Sequence, residues 1–282
     1  MIVWKEWPLM VFTVLAQSAI GAFWWCLIAL SLVDLTPDQK GSLLTGMLAI
    51  WIVLGLSFGI ASLHLGRPLR GMNAIFRFGR SPFSNEIVFG SASAAFGGLS
   101  WLLSQVSFLP AVLLPIALFI TFLLSLAFMY NMVALYMLRT VPTWNTIFTP
   151  LHFIASILIG GSIMAAILFM ATGCSGVEVL KIGPLVMTIC AIAVSAVTTV
   201  LQARALPNIK TALRSGDSVF PAYKALMSVR FILLCTACLL WLLFTAAGGG
   251  LFVTLICALL FLFAEILGRN VHYGLHMTEG LS

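Results

Sequence analysis

Backbone amide and carbonyl groups cannot stay unpaired in hydrocarbon, so a chain built almost wholly of apolar stretches long enough to cross a bilayer has few folds open to it. This chain of 282 residues is of that kind. With a window of about 20 residues, apolar runs occur at 8–33, 42–64, 86–107, 111–138, 147–172, 183–204, 226–247 and 249–268. They are too long and too little alternating for the strands of an outer-membrane barrel, so each is expected to be a helix. The chain therefore reads as an all-α integral membrane protein, a bundle of about eight transmembrane helices with both termini on the same side.

The borders of the runs carry turn chemistry. Proline punctuates "DLTPDQKG" (Asp34 to Gly41) and "SFLPA" (Ser107 to Ala111), and Ser84 or Asn85 is expected to cap the third helix. "AAGGG" (Ala246 to Gly250) calls for a tight hairpin between the last two spans. Small residues from Gly90 to Gly98 and from Ile159 to Ala166 permit close helix approach. Residues 1–282 thus form a single polytopic membrane domain with one long interfacial loop at 65–85, in which "PLRGMNAIF" suits a short surface helix.

Composition removes several function classes. Only 8% of the residues are charged, against roughly 25% in a soluble domain. The net charge of +6 could suggest a nucleic-acid partner, but the charges sit in short stretches between runs and form no basic face, so nucleic acid is not expected. The start "MIVWKEWPLM" has neither a basic n-region nor a small-residue cleavage site, and no signal peptide is expected. The six cysteines fall almost entirely within apolar runs, where they act as small hydrophobes rather than a disulfide framework. Cys235 and Cys238 have redox spacing in "CTAC", yet they lie in mid-run with no second pair, so no metal is expected in this protein.

With eight spans, the loops after the second, fourth and sixth helices share a side with both ends. Of the fourteen basic residues, that side holds Lys5, Arg67, Arg70, Arg77, Arg80, Arg139, Arg204, Lys210, Arg214, Lys224, Arg230 and Arg269, leaving Lys40 and Lys181 opposite. The positive-inside rule alone would place it in the cytoplasm. All four histidines, His64, His152, His272 and His276, fall on this side with Glu86 and Glu265. Ionisable groups at membrane depth are costly and usually functional, which makes this rim the candidate site. A haem between helices would want histidines facing each other within the bilayer, so haem is disfavoured.

Five stretches carry a resemblance: "KEWPLMVFTVLAQSAIGAF" (Lys5 to Phe23), "SLHLGRPLR" (Ser62 to Arg70), "FSNEIVFGS" (Phe83 to Ser91), "RTVPTWNTIFTP" (Arg139 to Pro150) and "AEILGRNVHYGLHMTEG" (Ala264 to Gly280). Their order and spacing resemble, end to end, the membrane-anchor subunit of the anaerobic dimethyl sulfoxide reductase family. The resemblance implies a haem-free subunit of the bacterial inner membrane that binds and oxidises menaquinol. It implies two partners, an iron–sulfur electron-transfer subunit and a molybdopterin catalytic subunit, in a heterotrimer used in anaerobic respiration. It also implies that the quinol-site histidine and glutamate are His64 and Glu86. In that family the partner-facing side is the periplasmic one, against the charge count. An arginine cluster that docks a protein biases the count, so the outward orientation is preferred.

Quinol oxidation needs a hydrogen-bond partner for each hydroxyl and a group that accepts a proton near neutral pH. His64 ends one helix and Glu86 begins the next, so both are expected at interfacial depth as the catalytic pair. Arg67, Ser84, Asn85 and His152 are further candidates to contact the quinol, and Arg70, Arg77 and Arg80 to dock the partner or bind lipid phosphate. Each has a plainer reading. Glu86 suits the macrodipole of a first helical turn, His64 suits a helix C-terminus, and Arg67 can snorkel. His272 and His276 share a helical face with no third metal ligand, Glu265 is spaced to pair with Arg269, and Trp4, Trp7, Trp24, Trp25 and Trp144 read as interfacial belt residues. Two alternatives stay open: a purely structural anchor without quinol chemistry, and a secondary transporter. For transport the sequence shows no convincing repeat and no acidic residue in mid-span.

Overall fold

A computed structural model describes residues 4–63, 72–210, 215–248 and 250–276. Among these described residues nine α-helices follow in order: α1 (Trp7–Leu32), α2 (Pro37–Gly46), α3 (Leu48–Ser62), α4 (Pro82–Gln105), α5 (Leu113–Tyr136), α6 (Phe148–Ala171), α7 (Glu178–Ala205), α8 (Gly216–Ala246) and α9 (Leu251–Gly274). Helices α2 and α3 run on as one span, Pro37–Ser62, with a break at Met47, so eight helices are long and apolar enough to cross a membrane. Among the described residues there is no β-strand beyond an isolated bridge between Lys210 and Ser215. The expected class holds: an all-helical, eight-span membrane protein.

Helices α1 and α6 form the centre. Most of their residues are buried, because each is flanked by other helices on nearly all sides. They cross at two glycines, where a Cβ on Gly161 would lie 2.5 Å from the Gly21 Cα. Lipid tails are as apolar as leucine, so such close backbone approach, rather than apolarity, is what holds membrane helices together. Trp24 and Trp25 tighten this centre: their indole nitrogens donate to Ser125 of α5 and Ser162 of α6, at 2.9 and 3.0 Å. They are internal ties, not the belt residues expected from the sequence.

Several helix ends lie outside the apolar runs that announced them. Helix α2 begins at Pro37 because Thr36 and Gln39 make a reciprocal capping box. Helix α4 begins at Pro82 with Ser81 as its N-cap, so neither Ser84 nor Asn85 caps it. Proline is well suited to the first helical position, and it starts the helix a turn earlier than the hydrophobic run does. Asn85 instead accepts a hydrogen bond from the Gly79 amide at 2.7 Å and fastens the preceding turn. Within the long connection, Met72–Arg77 is a short 3-10 helix, and the first residues of "PLRGMNAIF" lie outside the described residues. The last helix runs to Gly274, carrying Arg269 and His272 inside the bundle.

The two ends of the bundle differ in character. Asn270 near the end of α9 donates to the Met10 sulfur near the start of α1 at 3.6 Å, so these two helix ends lie together. That end carries buried polar side chains. The half of the α6–α9 group nearer the other end is filled by Ile159, Ile163, Leu185, Leu234, Trp241 and Phe261.

Candidate functional site

The inner end of α9 gathers the polar residues. Glu265, Arg269, His272 and Tyr273 are spaced i, i+4, i+7 and i+8, hence on one face, and all four are buried. Glu265 accepts from the Arg230 Nη2 of α8 at 2.7 Å and from the Ser156 hydroxyl of α6. Arg230 also donates to Ser195 of α7 at 3.0 Å. Its path depends on Gly268, where a Cβ would sit 2.5 Å from the Arg230 Nε. Arg269 donates to Gln17 of α1 at 2.8 Å and to Ser156 at 3.3 Å, with its guanidinium 3.8 Å from the centre of the Phe153 ring. Five helices thus meet on two arginines and one glutamate.

Towards the rim the cluster continues through aromatic residues. The Tyr136 and Tyr273 hydroxyls hydrogen-bond to each other. The α5–α6 connection closes over them. Trp144 stacks on His272 with ring centres 5.5 Å apart and donates to the His272 carbonyl at 2.8 Å, while Thr143 donates to the Leu275 carbonyl at 2.6 Å. On α4, Glu86 is only 3% exposed, and its Oε1 has no hydrogen-bond partner among the described residues. It lies within electrostatic reach of both tyrosines. One turn on, Gly90 lets Phe58 and Phe128 stack against the helix, because a Cβ there would strike both rings.

A second polar line runs beside the first. His152 of α6 bonds through Nε2 to the Gln202 Oε1 of α7 at 3.0 Å, and the Tyr223 hydroxyl of α8 donates to the same oxygen at 3.0 Å. Between the two lines is a cavity of about 20 Å³ bordered by His152, Ser156, Arg230, Glu265, Arg269 and His272. It has room for a water molecule and not for an aromatic ring.

A membrane bundle with its polar chemistry at one end narrows the possibilities, and comparison with known proteins decides among them. Residues 1–275 match the model of a family described as DMSO reductase anchor subunit (DmsC). The protein belongs to this anchor-subunit family. It is 36% identical over 282 residues to the C subunit of the anaerobic dimethyl sulfoxide reductase of Escherichia coli K12, covering 99% of this protein and 98% of that one. The anaerobic dimethyl sulfoxide reductase subunit YnfH of the same organism is 33% identical over 282 residues, with the same coverage. The C subunit of the Haemophilus influenzae reductase is 33% identical over 279 residues, 98% and 97% of the two proteins. No solved structure matches the sequence.

In this anchor subunit the residues singled out from sequence scatter into three places. Glu86 and Ser84 are buried at the start of α4, with Asn85 half-buried between them. His152 is buried one layer in, on the Gln202 line. Arg77 and Arg80 are exposed on the connection ahead of α4. His64, Arg67 and Arg70 lie outside the described residues.

Glu265 does not pair with Arg269 as its spacing suggested; its ion-pair partner is Arg230, presented by the neighbouring helix. Nor is α9 free of acidic residues in mid-span, since Glu265 is well inside Leu251–Gly274. Trp144 is no belt residue: it is stacked on His272. Sequence reading passed over Arg230, Gln17, Ser156, Tyr136 and Tyr273. Arg230 gave a usable signal, for it sits inside the apolar run 226–247, and an arginine there has to find an internal partner. Gln17 and Ser156 gave none, because single neutral polar residues in membrane helices are ordinary.

Proposed function

We propose that this anchor subunit binds menaquinol at the rim of the bundle beside Glu86 and oxidises it, handing the electrons to an iron–sulfur subunit of a molybdopterin reductase of the dimethyl sulfoxide reductase type. The observation that carries this reading is the Glu86 carboxyl: buried at the polar end, one oxygen unpartnered among the described residues, within electrostatic reach of a tyrosine pair. A buried acceptor left open is a place for a donor that the protein itself does not supply, and a quinol hydroxyl is such a donor.

The reaction follows from those groups. A quinol gives up two electrons and two protons to become a quinone. Glu86 accepts one proton along the hydrogen bond from the nearer hydroxyl, and His64 takes the role of base at the other. The electrons leave to the nearest cluster of the partner, since the anchor is read as holding neither haem nor metal. Arg67, Ser84, Asn85 and His152 are assigned to hold or surround the headgroup. Arg70, Arg77 and Arg80 are assigned to dock the partner, and the exposure of Arg77 and Arg80 suits contact with a protein or with lipid phosphate. With the catalytic subunit the assembly is a heterotrimer, its partner-facing side on the periplasmic face of the inner membrane. Reduction of the terminal acceptor takes place in the catalytic subunit.

Two substitutions test the reading. His64→Arg and Glu86→Lys are expected to lower quinol-dependent electron transfer by about a hundredfold or more, the scale of losing a positioned acid–base group. Assembly and turnover with an artificial donor are expected to persist. Normal quinol oxidation in both variants would leave a purely structural anchor.

A further inference from the structure

The end of the bundle away from the ion-pair cluster holds a cavity of about 250 Å³ between the α6–α7 connection and the last turn of α8, far larger than the one-water cavity beside Arg269. Part of its lining is apolar: Ala166 and Met170 of α6, Leu180 of α7 and Trp241 of α8. Met170 is held there by a hydrogen bond from Thr254 of α9 to its sulfur at 3.2 Å. The rest of the lining is polar. Ser175 and Gly176 come from the 3-10 turn Cys174–Gly176, Lys181 from the first turn of α7, Thr245 from the last turn of α8 and Gly248 from the turn after it. A Cβ on Gly176 or Gly248 would meet nothing within 4 Å, so the backbone at both faces open space. The charge around the cavity is one-sided. Lys181 is exposed and makes no ion pair among the described residues, and no carboxylate borders the cavity among them. Glu178, one turn back, borders a separate groove with Val179 and Ile182. Ser175 and Thr245 are half-buried, and each brings a hydroxyl.

We propose that this cavity binds the headgroup of an anionic phospholipid from the leaflet opposite the polar rim, with Lys181 as the counter-ion of its phosphate and the Ser175 and Thr245 hydroxyls as further donors. Helix α6 ends here, α7 begins and α8 ends, so the cavity lies where the spans emerge and lipid phosphates are found. A basic pocket between transmembrane helices at that depth suits an anionic headgroup, and a lysine ammonium is a compact point charge that pairs with phosphate. The two-part lining points to lipid rather than free phosphate. Lys181 and the hydroxyls answer the charged group, while Met170, Leu180 and Trp241 offer an apolar wall to the glycerol and the first carbons of the acyl chains, which an inorganic ion does not have. Lipid is also already at the door, since Leu242 and Leu243 beside Trp241 on α8 are exposed on the outside of the bundle. The site is at the other end from Glu86, Arg77 and Arg80, so it stands apart from the quinol reading and from the surface assigned to the partner.

The test is lipid binding by the assembled complex, purified in detergent and titrated with phosphatidylglycerol or with phosphatidylcholine, the bound lipid being counted by native mass spectrometry. Phosphatidylglycerol is expected to bind about fivefold more tightly than phosphatidylcholine, the scale of one lysine near an anionic lipid. Lys181→Gln is expected to remove that preference and Lys181→Arg to keep it. Thr245→Val, which deletes a hydroxyl and keeps the shape of the side chain, is expected to weaken binding about threefold and serves if Lys181→Gln does not assemble. Lys40→Gln is the control for charge at this rim: Lys40 stands on α2 beside Gln39, which donates to the Gly173 carbonyl at 3.4 Å, but it does not border the cavity. Binding is expected to be unchanged in it. Equal binding in the wild type, Lys181→Gln and Thr245→Val, or a loss that Lys40→Gln shares in full, overturns the proposal. So does complete displacement of the lipid by inorganic phosphate at matched concentration, which would make this a site for the free ion, or a Lys181→Gln complex that has lost a protein chain in place of a lipid, which would make it a docking surface.

Discussion

Arg230 and Glu265 show how an ion pair survives in a membrane bundle. Neither group meets lipid. Each is held by more than one hydrogen bond, which offsets much of the cost of burying the charges, although the Arg230 Nε has no partner among the described residues. Removing one partner leaves the other charge stranded. Arg230→Met is expected to destabilise the assembled complex by about 3–5 kcal/mol, while Arg230→Met with Glu265→Leu recovers most of that. Thermal unfolding of the purified single and double variants checks this, and an additive double variant would contradict it. The same pair marks the limit of reading residues from sequence. Glu86 was visible as a carboxylate beside a turn, but the spacing of Glu265 and Arg269 pointed to a pair within one helix. What decided otherwise was a neighbouring helix, and no local pattern encodes which helix that will be.

At the scale of the helices, the length and apolarity of each run were enough to place all eight spans, because the bilayer fixes both. Their ends were less legible. The capping box at Thr36 and the proline at the first position of α4 extend α2 and α4 towards the surface, and internal partners allow α9 to carry Arg269 and His272 past the end of its hydrophobic run. Pairing of helices was hinted at by "IGGSIMAA", but small residues such as those around Gly21 in "SAIGA" do not say which helix will pack on them. Gly21→Val would press a branched side chain onto the Ile157 carbonyl and the Gly161 backbone. It is expected to cost about 1–3 kcal/mol, or to block insertion of a stable bundle. Gly55→Ala on α3, which meets nothing within 4 Å, is expected to be neutral or slightly stabilising. Melting temperatures and the amount of assembled complex in membranes distinguish the two, and equal behaviour would contradict the close crossing.

Among the described residues the buried ion-pair cluster lies at one end of the bundle, and apolar side chains fill the α6–α9 group nearer the other. The polar end was legible because the histidines and most basic residues fall by sequence at the span ends of a single side, though Arg230 and Arg269 turn out to serve the interior and leave the surface count. Fusing reporters to the carboxyl end tests the orientation: an exported phosphatase is expected to be active there and a cytoplasmic fluorophore dark, and the reverse would place the polar rim inside the cell. The central claim is that quinol gives up its protons at this rim. The most direct measurement is a structure of the assembled complex with a quinol analogue bound. The ring is expected within hydrogen-bond distance of the Glu86 carboxyl, with a partner iron–sulfur cluster within tunnelling range. A ring lodged at the opposite end of the bundle, or a rim with no cluster near it, would contradict the claim.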